Sequence, residues 1–156
     1  MSCLVERIVS GGQTGADRAA LDWAMANEVS HGGWCPKGRK AEDGVIDARY
    51  QLRETTSSAY NPGTKLNVRD SDGTVIISIA QELMGGSRQT GEFAAKRGKP
   101  SLHISKGDGV DGATAKLKQF VIENRIRVLN VAGPRASEEP AVGEFVKLVL
   151  TNASMS

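Results

Sequence analysis

Short β-branched runs alternate along this chain with segments whose apolar residues recur at helical spacing. Leu4-Val5-Glu6-Arg7-Ile8-Val9 reads as a strand, and Ala19-Ala20-Leu21-Asp22-Trp23-Ala24 as a helix with Trp23 in the core. A second strand falls near Glu28 to His31. The stretch from Gly32 to Gly44 is turn-rich, and Ile46 to Thr55 holds a short strand or edge segment. Tyr60 to Asp70 is a helix whose start Pro62 and Gly63 displace beyond Tyr60. Thr74-Val75-Ile76-Ile77-Ser78 suits a buried parallel strand. Leu83 to Ser87 is a glycine turn, and Thr90 to Arg97 a helix closed by Gly98 with Pro100 beyond it. Ser101 to Ile104 is the next strand. Ala113 to Asn124 is a helix with Leu117, Phe120 and Val121 on its buried face. Arg127 to Ala132 is the last strand, and the final helix buries Val142, Phe145, Val146 and Val149. The alternation predicts an α/β fold, a three-layer sandwich with a mainly parallel sheet and helices on both faces.

In such sheets ligands bind outside the carboxyl ends of the strands. Three loops of this chain lead from a strand to a helix on that rim: Gly11 to Gly15, Gly85 to Thr90, and Gly133 to Ser137. The first lies in Ser10-Gly11-Gly12-Gln13-Thr14-Gly15-Ala16-Asp17-Arg18. Glycines let the backbone approach a ligand, and the helix N-terminus that follows favours an anion, so a phosphorylated small molecule is the expected ligand; a plain tight turn is the alternative. The loop is not a Walker motif, because no Gly-Lys-Ser/Thr follows. Nor does it keep the Gly-x-Gly-x-x-Gly spacing. The second strand runs into Gly32-Gly33-Trp34-Cys35-Pro36 with no acid for a ribose, which disfavours NAD.

Composition narrows the choice. The 156 residues suggest a single domain spanning 1–156. Twenty basic and 18 acidic residues are interspersed, giving a net charge of +2, and aromatic residues are 4%; neither favours nucleic acid. No apolar run is long enough for a bilayer, and the early acid in Met1-Ser2-Cys3-Leu4-Val5-Glu6-Arg7 argues against a signal peptide, so a cytoplasmic protein is expected. Cys3 and Cys35 give no framework and are expected as reduced thiols. With His31 and His103 the only histidines, no metal site is expected.

With the loops placed, a resemblance emerges. Residues 10 to 24, Gly33-Trp34-Cys35-Pro36-Lys37-Gly38-Arg39-Lys40-Ala41-Glu42-Asp43-Gly44, Asn67 to Thr74, Gly85-Gly86-Ser87-Arg88-Gln89-Thr90-Gly91-Glu92 and Leu129 to Ser137 resemble the motifs of the molybdenum carrier family, the circularly permuted YpsA-like proteins. The resemblance spans nearly the whole chain. It implies a Rossmann-like fold related to the Lonely Guy phosphoribohydrolases. It also implies binding of molybdenum cofactor (molybdopterin), a phosphorylated pterin whose dithiolene holds the metal, with a molybdoenzyme as recipient. Fold relatives commonly pair through helices, so a homo-oligomer, dimer or tetramer, is expected. The candidate cofactor-binding residues are Gly11, Gly12, Gln13, Thr14, Gly15, Arg18, Gly85, Gly86, Ser87, Thr90 and Arg135. No catalytic residue is assigned.

Individual residues keep two readings. Gly85 to Thr90 looks like the phosphoribohydrolase phosphate loop, Gly-Gly-x-Gly-Thr-x-x-Glu. Glu92 is in register when counted from Gly85 but one residue short when counted from Thr90, a rotation of about 100° around a helix. It is a doubtful catalytic acid, and a first-turn acid favouring the helix dipole instead. Ser87 and Thr90 either donate to a phosphate or cap the helix. Arg18, misplaced for the dipole, wants a ligand or a carboxylate. Arg135 can fork a phosphate. Asp70-Ser71-Asp72 reads as turn chemistry. Lys37, Arg39 and Lys40 belong to a lid over the ligand or to a self-paired loop with Glu42 and Asp43, and Cys35 is a small buried residue before it is a molybdenum ligand. The leading reading is a non-catalytic carrier; the alternatives are a phosphoribohydrolase-like enzyme and a nucleotide-ligand sensor.

Overall fold

The computed structural model describes residues 4–154. Cys3 lies outside them. In chain order the elements are β1 (Arg7–Val9), α1 (Ala16–Ala26), β2 (Ser30–Gly32), β3 (Trp34–Cys35), β4 (Lys40–Ala41), β5 (Gly44–Val45), β6 (Arg53–Glu54), α2 (Asn61–Arg69), β7 (Gly73–Ser78), α3 (Gly85–Lys96), β8 (Ser101–Ser105), α4 (Gly109–Glu123), β9 (Val128–Ala132) and α5 (Val142–Ser154). A five-stranded sheet runs in the order β2-β1-β9-β7-β8, with every pairing parallel. The last strand of the sequence therefore sits at the centre, flanked by β1 and β7.

The period-two alternation of the strands sorts the core. Ile8, Val75, Ile77, Ile104, Leu129 and Val131 turn to one face and pack against α1, α4 and α5. The small residues Ala16, Ala19, Ala20 and Ala24 let α1 lie close to the sheet and to α5, while Trp23 is buried and donates its indole N–H to Thr151 at 3.0 Å. Val142, Phe145, Val146 and Val149 form the expected buried stripe of α5. The opposite face carries α3, with α2 beside it. That face is more polar: buried Asn130 of β9 donates to buried Thr74 of β7 at 3.1 Å.

Two acidic side chains set boundaries. Asp72 Oδ2 accepts from the backbone N–H groups of Arg127 and Val128 at 2.9 and 2.8 Å, fixing the entry to β9, and those bonds hold its carboxyl below the usual range. Asp108 receives the Ser105 N–H at 2.9 Å and completes a capping box ahead of α4. The segment from Gly33 to Thr55 wraps the far side of α1 as a strap with its own small core, Leu21, Cys35, Ala41, Ile46 and Tyr50. Arg39 organises it, donating to the carbonyls of Ile46, Asp47, Tyr50 and Leu52.

Several boundaries differ from the sequence expectation, α4 beginning at Gly109 rather than Ala113 among them, and one bears on the cleft. Gly85 to Thr90 is not a turn before a helix; it is the opening of α3, which begins at Gly85. Gly85 takes φ +53 to redirect the chain, and Gly86 is already helical. Paired glycines read as a breaker, but in the first turn they cost little, because amides there have no intrahelical acceptor to lose. Among the described residues no helix is long and apolar enough to cross a membrane.

The burial pattern yields a direct stability contrast. Leu129→Ala, at a fully buried position in the central strand, should cost about 2–5 kcal/mol. Ile122→Ala, at a side chain 73% exposed on α4, should change stability by less than about 0.5 kcal/mol. Urea denaturation of both variants checks the pair.

Candidate ligand cleft

Because β9 lies between β1 and β7, the loops following these three strands meet at one place. A cleft opens there. Gly11, Gln13 and Asp17 line it from the β1 side, Gly133, Arg135 and Glu138 from beyond β9, and Gly86, Ser87 and Thr90 from α3. Trp34, Pro36, Tyr60 and the α2 residues Asn61, Gly63, Thr64 and Asn67 form the facing wall. Asn67 braces that wall, accepting the Trp34 N–H at 2.8 Å and donating to the Trp34 carbonyl at 3.1 Å. The Arg135 guanidinium stands 5.4 Å from the Tyr60 ring centroid and 3.4 Å from a Glu138 carboxyl oxygen.

The three rim loops are not equivalent. In the first glycine loop the backbone amides are already engaged. Gly12 N–H donates to Ser10 Oγ, Thr14 N–H to Gln13 Oε1, and Ala16 N–H to the Pro134 carbonyl. The Asp17 carboxyl lies against this loop, its Oδ2 3.0 Å from where a Cβ on Gly11 would stand, and the amides of Gln13 and Gly11 draw its pKa down. The anion expected at this helix N-terminus is thus the protein's own carboxylate, and a phosphate placed there would meet like charge. Burial pushes the Asp17 carboxyl up to about 7, against the opposing pull of the two backbone N–H groups, Arg18 and Arg135. At α3 the situation is reversed. Its N-cap is Met84, no side chain caps its first amides, and its first turn carries no acid. A Cβ placed on Gly85 or Gly86 would meet nothing within 4 Å. This helix start presents the open, anion-favouring amides that α1 does not.

Of the candidate binding residues, Gly11, Gln13, Gly86, Ser87, Thr90 and Arg135 converge on the cleft. Gly85 stands at its mouth as the first residue of α3. Gly12, Thr14, Gly15 and Arg18 do other work. Gly12 (φ +77) faces the strap, where a Cβ would come within 2.6 Å of Leu52 and 3.0 Å of Ile46. Gly15 (φ +81) lets the β9–α5 loop approach, a Cβ there falling 2.4 Å from the Pro134 carbonyl. Arg18 forks Asp43 at 2.9 and 3.1 Å and also donates to the Gly12 carbonyl, which answers its want of a carboxylate. Thr14 donates to Glu42 and receives the Ala136 N–H. Glu42 also accepts from the Ser137 hydroxyl and N–H, and these hydroxyls hold its carboxyl below the usual range. The loop's acids are thus clasped to the first rim loop, α1 and the β9–α5 loop rather than paired with the loop's own bases, and Lys37, Arg39 and Lys40 do not line the cleft.

Glu92 is exposed on α3, 3.8 Å from Arg88, outside the cleft lining and about two turns past the helix start, not in the first turn where it was expected. Cys35 is fully buried in the strap core, where burial raises its thiol pKa. Thr90 spends its hydroxyl proton on the Gly86 carbonyl at 3.0 Å. Outside the cleft, Ser78 and His103 lie 2.7 Å apart, but Ser78 Oγ–H donates to the Ala80 carbonyl at 2.6 Å, so this pair is no activated nucleophile. No cluster of three or more His, Cys, Asp or Glu side chains suited to a metal ion occurs among the described residues. The residues that sequence reasoning missed are Asp17 as a cleft group and the wall of Trp34, Tyr60 and Asn67. Asn130 was visible in principle as a polar residue inside an apolar strand.

A parallel Rossmann-like sheet with an open cleft at the strand-order reversal defines the class. Within it, the chain belongs to the circularly permutated YpsA SLOG family, whose pattern matches residues 8–154. It is similar to the crystal structure of a "putative molybdenum carrier protein" from Syntrophus aciditrophicus, with 42% identity and a TM-score of 0.93 over 100% of this chain and 98% of that one. No curated protein matches the chain.

Asp17 should leave a signature in the pH dependence of stability. Its folded pKa lies above its unfolded value, so the folded state holds the extra proton between about pH 4 and pH 7 and loses stability as pH rises through that window. Asp17→Asn cannot titrate. The stability difference between variant and wild type should shift in the variant's favour from pH 4 to pH 8, read from urea midpoints; a constant difference would show that the carboxyl is not perturbed.

Proposed function

We propose that this protein is a molybdenum cofactor carrier that holds a phosphorylated pterin in the cleft without turning it over. The observation that carries the reading is the uncapped start of α3 and Arg135, a dipolar and a cationic group that line one cleft. The full-length likeness to a protein described as a molybdenum carrier supports the choice of ligand. The residues present suit such a ligand: Gly86 and Ser87 for the phosphate, Arg135 as its counter-charge, and the Trp34–Tyr60 wall for a heterocycle. Molybdenum itself would stay on the pterin's dithiolene, since Cys35 is sealed in the strap core. The position of Glu92 outside the cleft argues against the phosphoribohydrolase alternative, and nucleoside monophosphates should release no free base on incubation. A carrier implies a recipient, and a molybdoenzyme fits that role.

The test is retention. Purified protein mixed anaerobically with extracted cofactor, then freed of unbound material, should retain molybdenum and the fluorescent oxidised pterin above a control protein. Gly86→Asp is the informative variant. The side chain enters open space and an acid in the first turn favours the helix, so the fold should hold while a carboxylate repels the phosphate. Retention should fall by at least about tenfold, equivalent to ~1.4 kcal/mol. Undiminished retention would refute the α3 phosphate site.

A further inference from the structure

The cleft holds one carboxyl that the phosphate site does not use. Asp17 cannot receive the phosphate, yet it lines the cleft with Gly11 and Gln13. A carboxylate has about four lone-pair directions over its two oxygens, and the backbone amides of Gly11 and Gln13 are the donors beside it. The remaining acceptor capacity calls for donors. Beside it, Gln13 has the complementary need. Its Oε1 accepts from the Thr14 and Glu42 N–H groups at 3.0 and 2.9 Å, which fixes the orientation of the amide. Its Nε2 is shielded from water and has no hydrogen-bond partner among the described residues. A buried donor left unmade is costly, about 1–3 kcal/mol. One wall of the cleft therefore offers acceptors at Asp17 and an unspent donor at Gln13.

We propose that Asp17 and Gln13 form the specificity-determining edge of the cleft, matched to a 2-amino-4-oxo-pyrimidine ring: Asp17 accepts from the ring N–H and the amino group, and Gln13 Nε2 donates to the carbonyl. The ring chemistry is shared by pterins and by guanine, and the edge reads as donor, donor, acceptor in both. The inference rests on the reading of the cleft as a phosphorylated-ligand site and adds to it the residues that read the heterocycle and the ring edge they match. Adenine fails on this edge, because a ring nitrogen acceptor would face the carboxylate. Hypoxanthine lacks the amino donor. Sites built to hydrogen-bond a group reject analogues lacking it more strongly than apolar pockets reject a missing methylene.

The ionised form of Asp17 is the one that accepts from two donors. The charged groups around it are Arg18 on its own helix and Arg135 from the β9–α5 loop, with Glu138 farther along that loop; α2 and α3 contribute only neutral polar side chains, among them Asn61, Asn67, Ser87 and Thr90. Preference for the guanine edge should accordingly strengthen as pH rises through about 7.

Calorimetric titration with GMP, a pterin monophosphate, IMP, AMP, guanosine and inorganic phosphate tests the proposal. GMP or the pterin monophosphate should bind at least about tenfold tighter than IMP and AMP. The GMP-to-AMP ratio should rise from pH 6 to pH 8, a readout in which the shared phosphate cancels. The GMP and pterin arms separate a nucleotide from a cofactor source. In Asp17→Asn, checked for folding by thermal denaturation, the GMP-to-AMP ratio should collapse toward unity. Equal binding of GMP, IMP and AMP to the wild-type protein would overturn the edge while leaving the phosphate site intact. Guanosine bound as tightly as GMP, with the base preference retained, would uphold the edge and overturn the phosphate site. Absence of binding by every compound would overturn both. If the variant does not fold, the wild-type ratio and its pH slope decide.

Discussion

The position of β9 is the constraint on which the rest of the molecule depends. The last strand in sequence inserts between β1 and β7, pairing in parallel with both. That arrangement requires contacts between chain segments more than a hundred residues apart, and the loop-closure cost of such pairing falls on the whole core. It is secured locally at both ends. Asp72 holds the entry of β9 through two backbone N–H groups, and at the exit Gly133 admits the close approach of the Ile77 carbonyl, which a Cβ would reach at 2.2 Å. A single strand placed this way brings three strand-to-helix loops to one rim, and the cleft follows.

The rim divides its labour by charge. Two helix starts, of α1 and α3, lie at the same cleft, and two anion sites side by side would compete for one phosphate. The α1 start is closed by a covalent part of the protein, the Asp17 carboxyl, while the α3 start is left open. The carboxyl bears its desolvation cost, visible as a pKa near 7, because two amides, Arg18 and Arg135 partly offset it. Perturbed carboxyls of this kind concentrate at functional sites. An acid at one helix start and none in the first turn of the other give the cleft a charge asymmetry along its rim.

Much of the fold was legible because the chain is locally consistent. The period-two runs at Val75–Ile77 and Leu129–Val131 and the α5 stripe each agree with the elements they form, and the parallel sheet with helices on both faces follows from their order. Glycine was the source of error. Gly12 and Gly15 carry positive φ and read as a ligand cradle, yet they serve the strap and the β9–α5 loop; Gly85 and Gly86 read as a turn, yet open a helix. A sequence shows that backbone must approach something at a glycine and not whether that something is a ligand or another loop. The Asp17 role was hidden for the same reason. An acid in a first helical turn has a sufficient explanation in the dipole, and only tertiary placement shows its carboxyl beside Gly11 in the cleft wall. Trp34, Tyr60 and Asn67 converge from segments with no common pattern, so nothing local announced them.

The strap completes the argument from structure to binding. Its Arg39 looked available for a ligand but is consumed by four carbonyls, and its Asp43 takes up Arg18 of α1. What the strap supplies is rigidity. Glu42 joins Thr14 of the first rim loop to Ser137 of the third, and Asp43 ties the same hairpin to α1. Isolated, such surface pairs contribute little. Here they act together across three segments, and Gln13 is part of the same clasp through its Oε1 bond to the Glu42 N–H. The amide whose Nε2 remains unspent is therefore held in place before any ligand arrives. Ordering that precedes binding is not charged against affinity, and the proposed role of holding a ligand unchanged would gain from a wall already set.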